Sequence, residues 1–261
     1  MRFVDAHCHF DFPRFDGLRS DELASARRAG MVALVIPGVR HADWSRVREV
    51  ARSFPDVFYC LGIHPWYIDE HNDRDLDELA RMLEQRPERC VGIGECGLDR
   101  LKGNVPQQLP WFEAQVDIAA KCDYPLIIHS VKTHDDVCSV LRRRGWNGRA
   151  LLHGFSGSYE QARKLVDLGC YIGVGGVISH SRARKTREAI SRLPDDVLVV
   201  ETDAPDMAPE GVQKGRNSPV FLPGIIEVLA ELRGTSVEKL SPVLLENVCR
   251  LYGWKSSPLR A

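Results

Sequence analysis

The residues best suited to chemistry open the chain. A short apolar run, Phe3-Val4-Asp5-Ala6, delivers His7-Cys8-His9 and then Phe10-Asp11. In extended backbone, side chains two apart project to the same side, so His7 and His9 can grip one cation together. Imidazole suits zinc, manganese, iron and nickel, and the pair reads as one edge of a metal site at a strand's end. A His-x-His pair also arises by chance, so this reading needs further donors from elsewhere in the chain.

Such donors recur at corresponding places. Glu95 follows Gly92-Ile93-Gly94, His129 follows Leu126-Ile127-Ile128, His153 follows Leu151-Leu152, and Asp203 follows Glu201-Thr202. Each comes at the end of a short apolar run. The runs cover 3–6, 32–36, 57–63, 90–94, 126–129, 149–153, 170–174 and 197–201. Most are rich in Val, Ile and Leu without polar alternation, as strands covered on both faces should be. Helical patterns lie between them. Ser20 is placed to cap a segment closing at Gly30, and 73–86 carries Leu76, Leu79, Ala80 and Leu83 at helical spacing. Ser158 with Gln161 makes a capping box for a segment ending at Gly169, 223–233 reads as a helix, and Ser241-Pro242 opens another that ends at Gly253.

Eight strands alternating with helices predict a (β/α)8 TIM barrel, one domain over 1–261, with a doubly wound sheet as the structural alternative. In a barrel the strands' carboxyl ends converge on one mouth, which would gather His7, His9, Glu95, His129, His153 and Asp203. The interruptions at 67–73, 100–110 and 205–219 would be its loops.

Bulk properties narrow the setting. Hydrophobic content of 44% with 27% charged residues is that of an ordinary globular protein, and a net charge of −1 gives no general affinity for polyanions. A bound metal can still supply local positive charge. No apolar run approaches the ~18 residues of a membrane span. Met1 stands two residues before the first strand, so no targeting segment is expected. The eight cysteines show no Cys-x-x-Cys spacing, and Cys60, Cys90, Cys122, Cys170 and Cys249 sit in apolar contexts. Reduced thiols in a cytoplasmic protein are the expectation, with Cys8 and Cys96 facing away from the ligands beside them.

Three motifs carry a resemblance: His153-Gly154-Phe155-Ser156-Gly157-Ser158, Gly173-Val174-Gly175-Gly176 and Glu201-Thr202-Asp203-Ala204-Pro205-Asp206-Met207. With the His-x-His start, the chain resembles the TatD family of metal-dependent hydrolases, above all its YjjV branch, from Asp5 to the helix over 247–253. The resemblance implies a TIM barrel acting as a metal-dependent nuclease on DNA or RNA. It further implies that His7, His9, Glu95 and Asp203 hold one divalent ion, while Glu95 bridges to a second held by His129 and His153. Two ions about 3.5–4 Å apart would make hydroxide available near neutral pH, with Asp203 as general base. The mixed nitrogen and oxygen donors leave zinc, manganese, magnesium or cobalt open. A phosphodiester substrate such as DNA would be a transient partner, with no membrane and no obligate protein partner.

Lesser candidates surround this core. His64 in Gly62-Ile63-His64-Pro65 ends strand three at the same mouth, where it would touch substrate. Arg216-Asn217-Ser218-Pro219, after strand eight, resembles the family's Arg-Asn-x-Pro segment, which implies a substrate contact for Arg216 and Asn217. The stretch 154–158 leads into a helix start that suits a phosphate. Asp99 is expected to brace its turn. Basic clusters at 142–144 and 182–187 read as solvated helix faces, the second lying after strand seven, near a common phosphate site of barrels. The chain departs from the family pattern at Val131, followed by Lys132, where an Arg often stands, and at Trp66, where a second His often follows His-Pro. A bidentate phosphate grip would be lost there. The alternative function is hydrolysis of a small amide, lactone or ester, and the non-enzymatic alternative is a barrel holding metal for stability alone. Related barrels often bridge their metals through a strand-four lysine; Glu95 stands there instead.

Overall fold

The structure is a computed structural model that describes residues 1–254; residues 255–261, the tail of the domain expected over 1–261, lie outside the described residues. Eight strands, β1 (Phe3–Asp5), β2 (Met31–Pro37), β3 (Val57–Leu61), β4 (Cys90–Asp99), β5 (Leu126–Val131), β6 (Ala150–Leu152), β7 (Cys170–Val174) and β8 (Leu198–Val200), form one parallel sheet in sequence order. The sheet curls back on itself: Ala6 N–H donates to the Val200 carbonyl at 3.2 Å, and Asp203 N–H to the His7 carbonyl at 2.9 Å. This is the expected (β/α)8 TIM barrel, and the doubly wound alternative falls because β8 returns to β1.

The helices are α1 (Arg19–Arg28), α2 (Trp44–Ser53), α3 (Asp73–Glu84), α4 (Val105–Cys122), α5 (His134–Arg143), α6 (Tyr159–Val166), α7 (Arg184–Arg192), α8 (Leu222–Leu232) and α9 (Val237–Tyr252). Each lays an apolar stripe on the barrel. α3, for example, buries Leu79 and Leu83 and turns its charged residues outward. Leu34, Ile36, Leu61, Ile93, Leu126, Ile128, Leu152 and Ile172 pack with such stripes in one continuous core. Among the described residues no helix is long and apolar enough to cross a membrane.

Several expected boundaries move. Ser20 does not cap α1, which begins at Arg19 without a side-chain cap. The capping box at Ser158 and Gln161 is present, and Asn72 with Asp75 makes a second one on α3. The last helix starts a turn earlier than Ser241-Pro242, after Ser236, and carries Pro242 inside it. The Ser241 hydroxyl donates to the Arg2 carbonyl at 2.8 Å and ties this region to the start of the chain. The interruption at 100–110 is half helix, because α4 begins at Val105 with Pro106 in its first turn. β4 runs on to Asp99, so Glu95 lies within the strand and not at its end.

The register of β4 against β5 shifts between Ile93 and Cys96, with Gly97 opposite His129. Gly97 has φ 137°, and a Cβ there would run into the His129 carbonyl. Glycine is therefore required where β4 passes His129. Gly97→Ala is expected to cost about 2 kcal/mol and lower Tm by roughly 4–8 °C. Gly224→Ala, in the first turn of α8 with nothing within 4 Å, is expected to be neutral or stabilising. Thermal melts of the two variants check this, and equal Tm values would contradict it.

Candidate metal centre

The six predicted residues meet at the carboxyl end of the barrel, buried, around Glu95. His7 and His9 follow β1, and their Nε2 atoms both stand 3.3 Å from Glu95 Oε2. Asp203 Oδ1 faces the same two nitrogens at 3.2 and 3.5 Å. The other carboxylate oxygen, Glu95 Oε1, faces His129 Nδ1 at 2.8 Å, His153 Nε2 at 2.8 Å and His64 Nε2 at 3.1 Å. One carboxylate thus divides two sets of imidazoles between its two oxygens. Three groupings of donor atoms fall within 4.8 Å: His7 with His9 and Glu95, His7 with His153 and Asp203, and His64 with Glu95 and His129.

Hydrogen bonding does not complete this cluster. His7 Nε2, Glu95 Oε2 and Asp203 Oδ1 are buried, lie near one another and have no hydrogen-bond partner. Buried polar atoms in that state need an explanation, and a cation among them supplies one. Charge says the same. Burial alone would raise the Glu95 carboxyl, but His153, His64 and His129 outweigh it and hold Glu95 well below the usual carboxylate range. Burial also opposes charge on His7, yet the adjacent carboxylates of Asp203 and Glu95 push it well above the ordinary imidazole value. Positive charge is drawn to these carboxylates, and the residues present fit a divalent ion.

A second layer of polar residues aims the first. Asp99 Oδ1 accepts Leu101 N–H at 2.7 Å and Lys102 N–H at 3.1 Å, bracing the turn as expected. Its Oδ2 takes the Trp66 indole N–H at 2.7 Å and lies 3.0 Å from His129 Nε2. Burial disfavours its charge, but these donors hold the Asp99 carboxyl down at about 2. An ionised Asp99 keeps the hydrogen on His129 Nε2 and turns Nδ1 toward Glu95. Burial opposes charge on His129 too, yet Asp99 and Glu95 push it up to about 9.

Some supports carried no assigned role in the sequence reading. Asp5, inside β1, accepts Thr202 N–H at 3.0 Å and the Thr202 hydroxyl at 2.6 Å, fastening the turn that carries Asp203. Glu201 accepts Gly154 N–H next to His153, and burial pushes its carboxyl up to about 8. Gln108 and Gln115, seven apart on α4, clamp Asp99 and Ile63 through their backbone groups. Acids inside strand-like runs were the available signal for Asp5 and Glu201; for the glutamines there was only their helical spacing.

The lesser candidates separate. His64 is buried in the cluster, and its Nδ1 accepts Trp66 N–H at 3.1 Å, which leaves Nε2 as the hydrogen-bearing atom facing Glu95. Asn217 is buried, and its amide donates to the Thr202 and Asp206 carbonyls at 2.8 and 2.7 Å, holding the Asp203 loop together. Arg216 is exposed, and neither it nor Asn217 lines the metal pocket. That pocket, about 240 Å³, is bounded by the cluster with Phe12, Val39, Trp66, Tyr67, Val131 and Met207. Cys8 and Cys96 point into the core. In the 142–144 cluster, Arg143 pairs with Glu113 and Arg144 with Asp117.

A barrel with these donors at its mouth belongs among metal hydrolases, and comparison with known proteins specifies which. The profile of the family described as TatD related DNase matches residues 4–253, and the chain belongs to that family. It is a metal-dependent hydrolase. It is 40% identical over 254 residues to the uncharacterized metal-dependent hydrolase YjjV of Escherichia coli K12, covering 96% of this chain and 98% of that one. It is 32% identical over 254 residues to the 3'-5' ssDNA/RNA exonuclease TatD of Pantoea ananatis, covering 92% of this chain and 95% of that one. The crystal structure of the E. coli YjjV protein superposes with TM-score 0.93 at 38% identity, covering 97% of this chain and 99% of that one.

Asp99→Asn tests the aiming of His129. Asparagine keeps an acceptor for the turn but sets a second N–H against His129 Nε2 and Trp66 Nε1. Divalent-metal affinity is expected to fall about 10–100-fold with Tm of the metal-free protein little changed. Competition with a chelating dye reads this, and an unchanged affinity would contradict the assignment.

Proposed function

We propose that this chain is a two-metal phosphodiesterase, a deoxyribonuclease of exonuclease-like habit, acting as one barrel domain in the cytoplasm without an obligate protein partner. One divalent ion would be held by His7, His9, Glu95 and Asp203, and a second by Glu95, His129 and His153. The observation that carries the reading is the division of Glu95: Oε2 toward His7 and His9, Oε1 toward His129 and His153. Zinc, manganese, magnesium and cobalt all accept such donors. All eight cysteines are free, which suits a reducing compartment.

Bound divalent ions would lower the pKa of water and stabilise charge on the phosphoryl oxygens. The chain's own groups do the rest. Asp203 is buried, which disfavours its charge, but His7 beside it and the charges of His153 and His9 hold its carboxyl below the usual range. It is thus an ionised base at neutral pH, able to take a proton from water and return it to the leaving oxygen. His64, its Nε2–H toward Glu95, orients that carboxylate. Asp203 itself sits at φ 54°, a left-handed conformation fixed by its N–H bond to the His7 carbonyl at 2.9 Å.

Hydrolysis of a small amide, lactone or ester is the second reading, favoured by a metal pocket that, among the described residues, no lysine or arginine lines. One panel separates the two: the protein loaded in turn with each of the four ions, against an end-labelled single-stranded oligonucleotide, bis(p-nitrophenyl) phosphate and a set of lactones and esters. Phosphodiester cleavage is expected, reduced about 10²–10⁴-fold in Asp203→Asn with Tm retained. Turnover of lactones or esters without any phosphodiester cleavage would overturn the first reading in favour of the second.

A further inference from the structure

The basic cluster at 182–187 takes on a role once its neighbours are seen. A second depression, about 630 Å³, opens beside the metal pocket and is lined by Arg100, Lys132, Ser156, Arg182, Arg184 and Lys185, among others. Arg100, which lines the depression, donates its backbone N–H to the carbonyl of Val131, which lines the metal pocket, at 3.0 Å. Val131 lines the metal pocket and Lys132 the depression; His153 lines the first, and Ser156 of the same loop the second.

Charge distinguishes them. Five cations line the depression, Arg100, Lys132, Arg182, Arg184 and Lys185, against two carboxylates, Asp135 and Asp136, a formal excess of 5 − 2 = 3. Those carboxylates are already engaged, Asp136 by Arg100 at 2.6 Å and Asp135 by Lys164 at 2.8 Å. Among the described residues, the side chains of Lys132, Arg182, Arg184 and Lys185 make no ion pair, so four cations of the groove are left without a carboxylate partner. A net charge of −1 conceals this local field. The positive charge absent at Val131 stands one residue on, at Lys132, turned out of the metal pocket into the groove.

We propose that this groove is a subsite for phosphates of the substrate chain beyond the scissile bond, so that binding strengthens as the chain lengthens past a dinucleotide. The inference rests on the phosphodiesterase reading above. The metal pocket, about 240 Å³, is less than half the volume of the depression, about 630 Å³. A flexible strand leaving it over Val131 meets the four unpaired cations. Trp66 is half-exposed at the mouth, its indole N–H tied to Asp99 and the Lys102 ammonium 5.3 Å over its ring, so a base stacks there by taking the place of Lys102. A cationic groove beside an aromatic platform is a common arrangement for binding single strands.

The triple variant Arg182→Glu, Arg184→Glu, Lys185→Glu tests it. These side chains are exposed, and acidic residues in the first turn of α7 favour the helix, so the fold is expected to persist, with Tm as the check. For a 12-nucleotide single strand, KM is expected to rise at least tenfold with kcat within twofold. The slope of log affinity against log salt should weaken by about 2, from roughly 0.7 per lost phosphate contact. A dinucleotide, too short to reach the groove, should be cleaved alike by both proteins. An unchanged KM and salt slope for the 12-mer would overturn the proposal. If the unaltered protein cleaves no phosphodiester, the functional reading fails, and anisotropy of the labelled 12-mer decides the groove alone. Tenfold weaker binding by the variant upholds it, and equal binding overturns it. Equal 12-mer binding with lost binding of poly-glutamate would also overturn it, assigning the groove to an acidic protein surface.

Discussion

A buried carboxylate with imidazoles on both of its oxygens is the constraint from which most of the rest follows. Glu95 is 2% exposed, and an ionised group so placed is very costly without compensating charge. Compensation arrives from four different strands: His7 and His9 after β1, His64 after β3, His129 in β5 and His153 after β6. A closed sheet brings those strand ends within 2.8–3.3 Å of one atom pair. The close passage of β4 past β5 at Gly97 and past β3 at Gly62, where a Cβ would meet the Gly94 backbone at 2.5 Å, brings Glu95 to that centre.

A polar lattice then removes the freedom of each donor. Asp99 orients His129 and anchors Trp66; Asp5 and Asn217 hold the Asp203 turn; Glu201 holds the His153 loop; Gln115 holds the segment before His64. The centre is therefore preorganised, with little rearrangement left when a cation enters or a substrate arrives. Trp66 and Val131 give the pocket an apolar rim, while positive charge is gathered just outside it. That separation suits an enzyme whose cations supply electrostatics at the bond broken and whose surface holds the remainder of a chain.

Much of this was legible in the sequence. The apolar runs marked eight strands, and six metal-compatible residues at their ends marked the mouth, because strand ends in a parallel barrel share one face. What periodicity could not show was geometry along the strand. β4 extends to Asp99, and the register shift beside Glu95 leaves no trace in hydrophobic pattern. Capping chemistry succeeded at Ser158, where side chain and backbone reciprocate, and failed at Ser20 and Ser241, which lie inside helices that begin at Arg19 and Val237. Asn217 was read as a substrate contact because its motif sits in an active-site loop; its burial and its two backbone bonds arise from how that loop folds back, which only tertiary structure defines.

The central claim is that Glu95 joins two cation sites that work together. The most direct measurement is a titration of metal-free protein with manganese or zinc, following bound equivalents by mass spectrometry and phosphodiester hydrolysis in the same samples. Two equivalents per chain, with activity appearing as the second is taken up, is the predicted result. Saturation and full activity at one equivalent would contradict it.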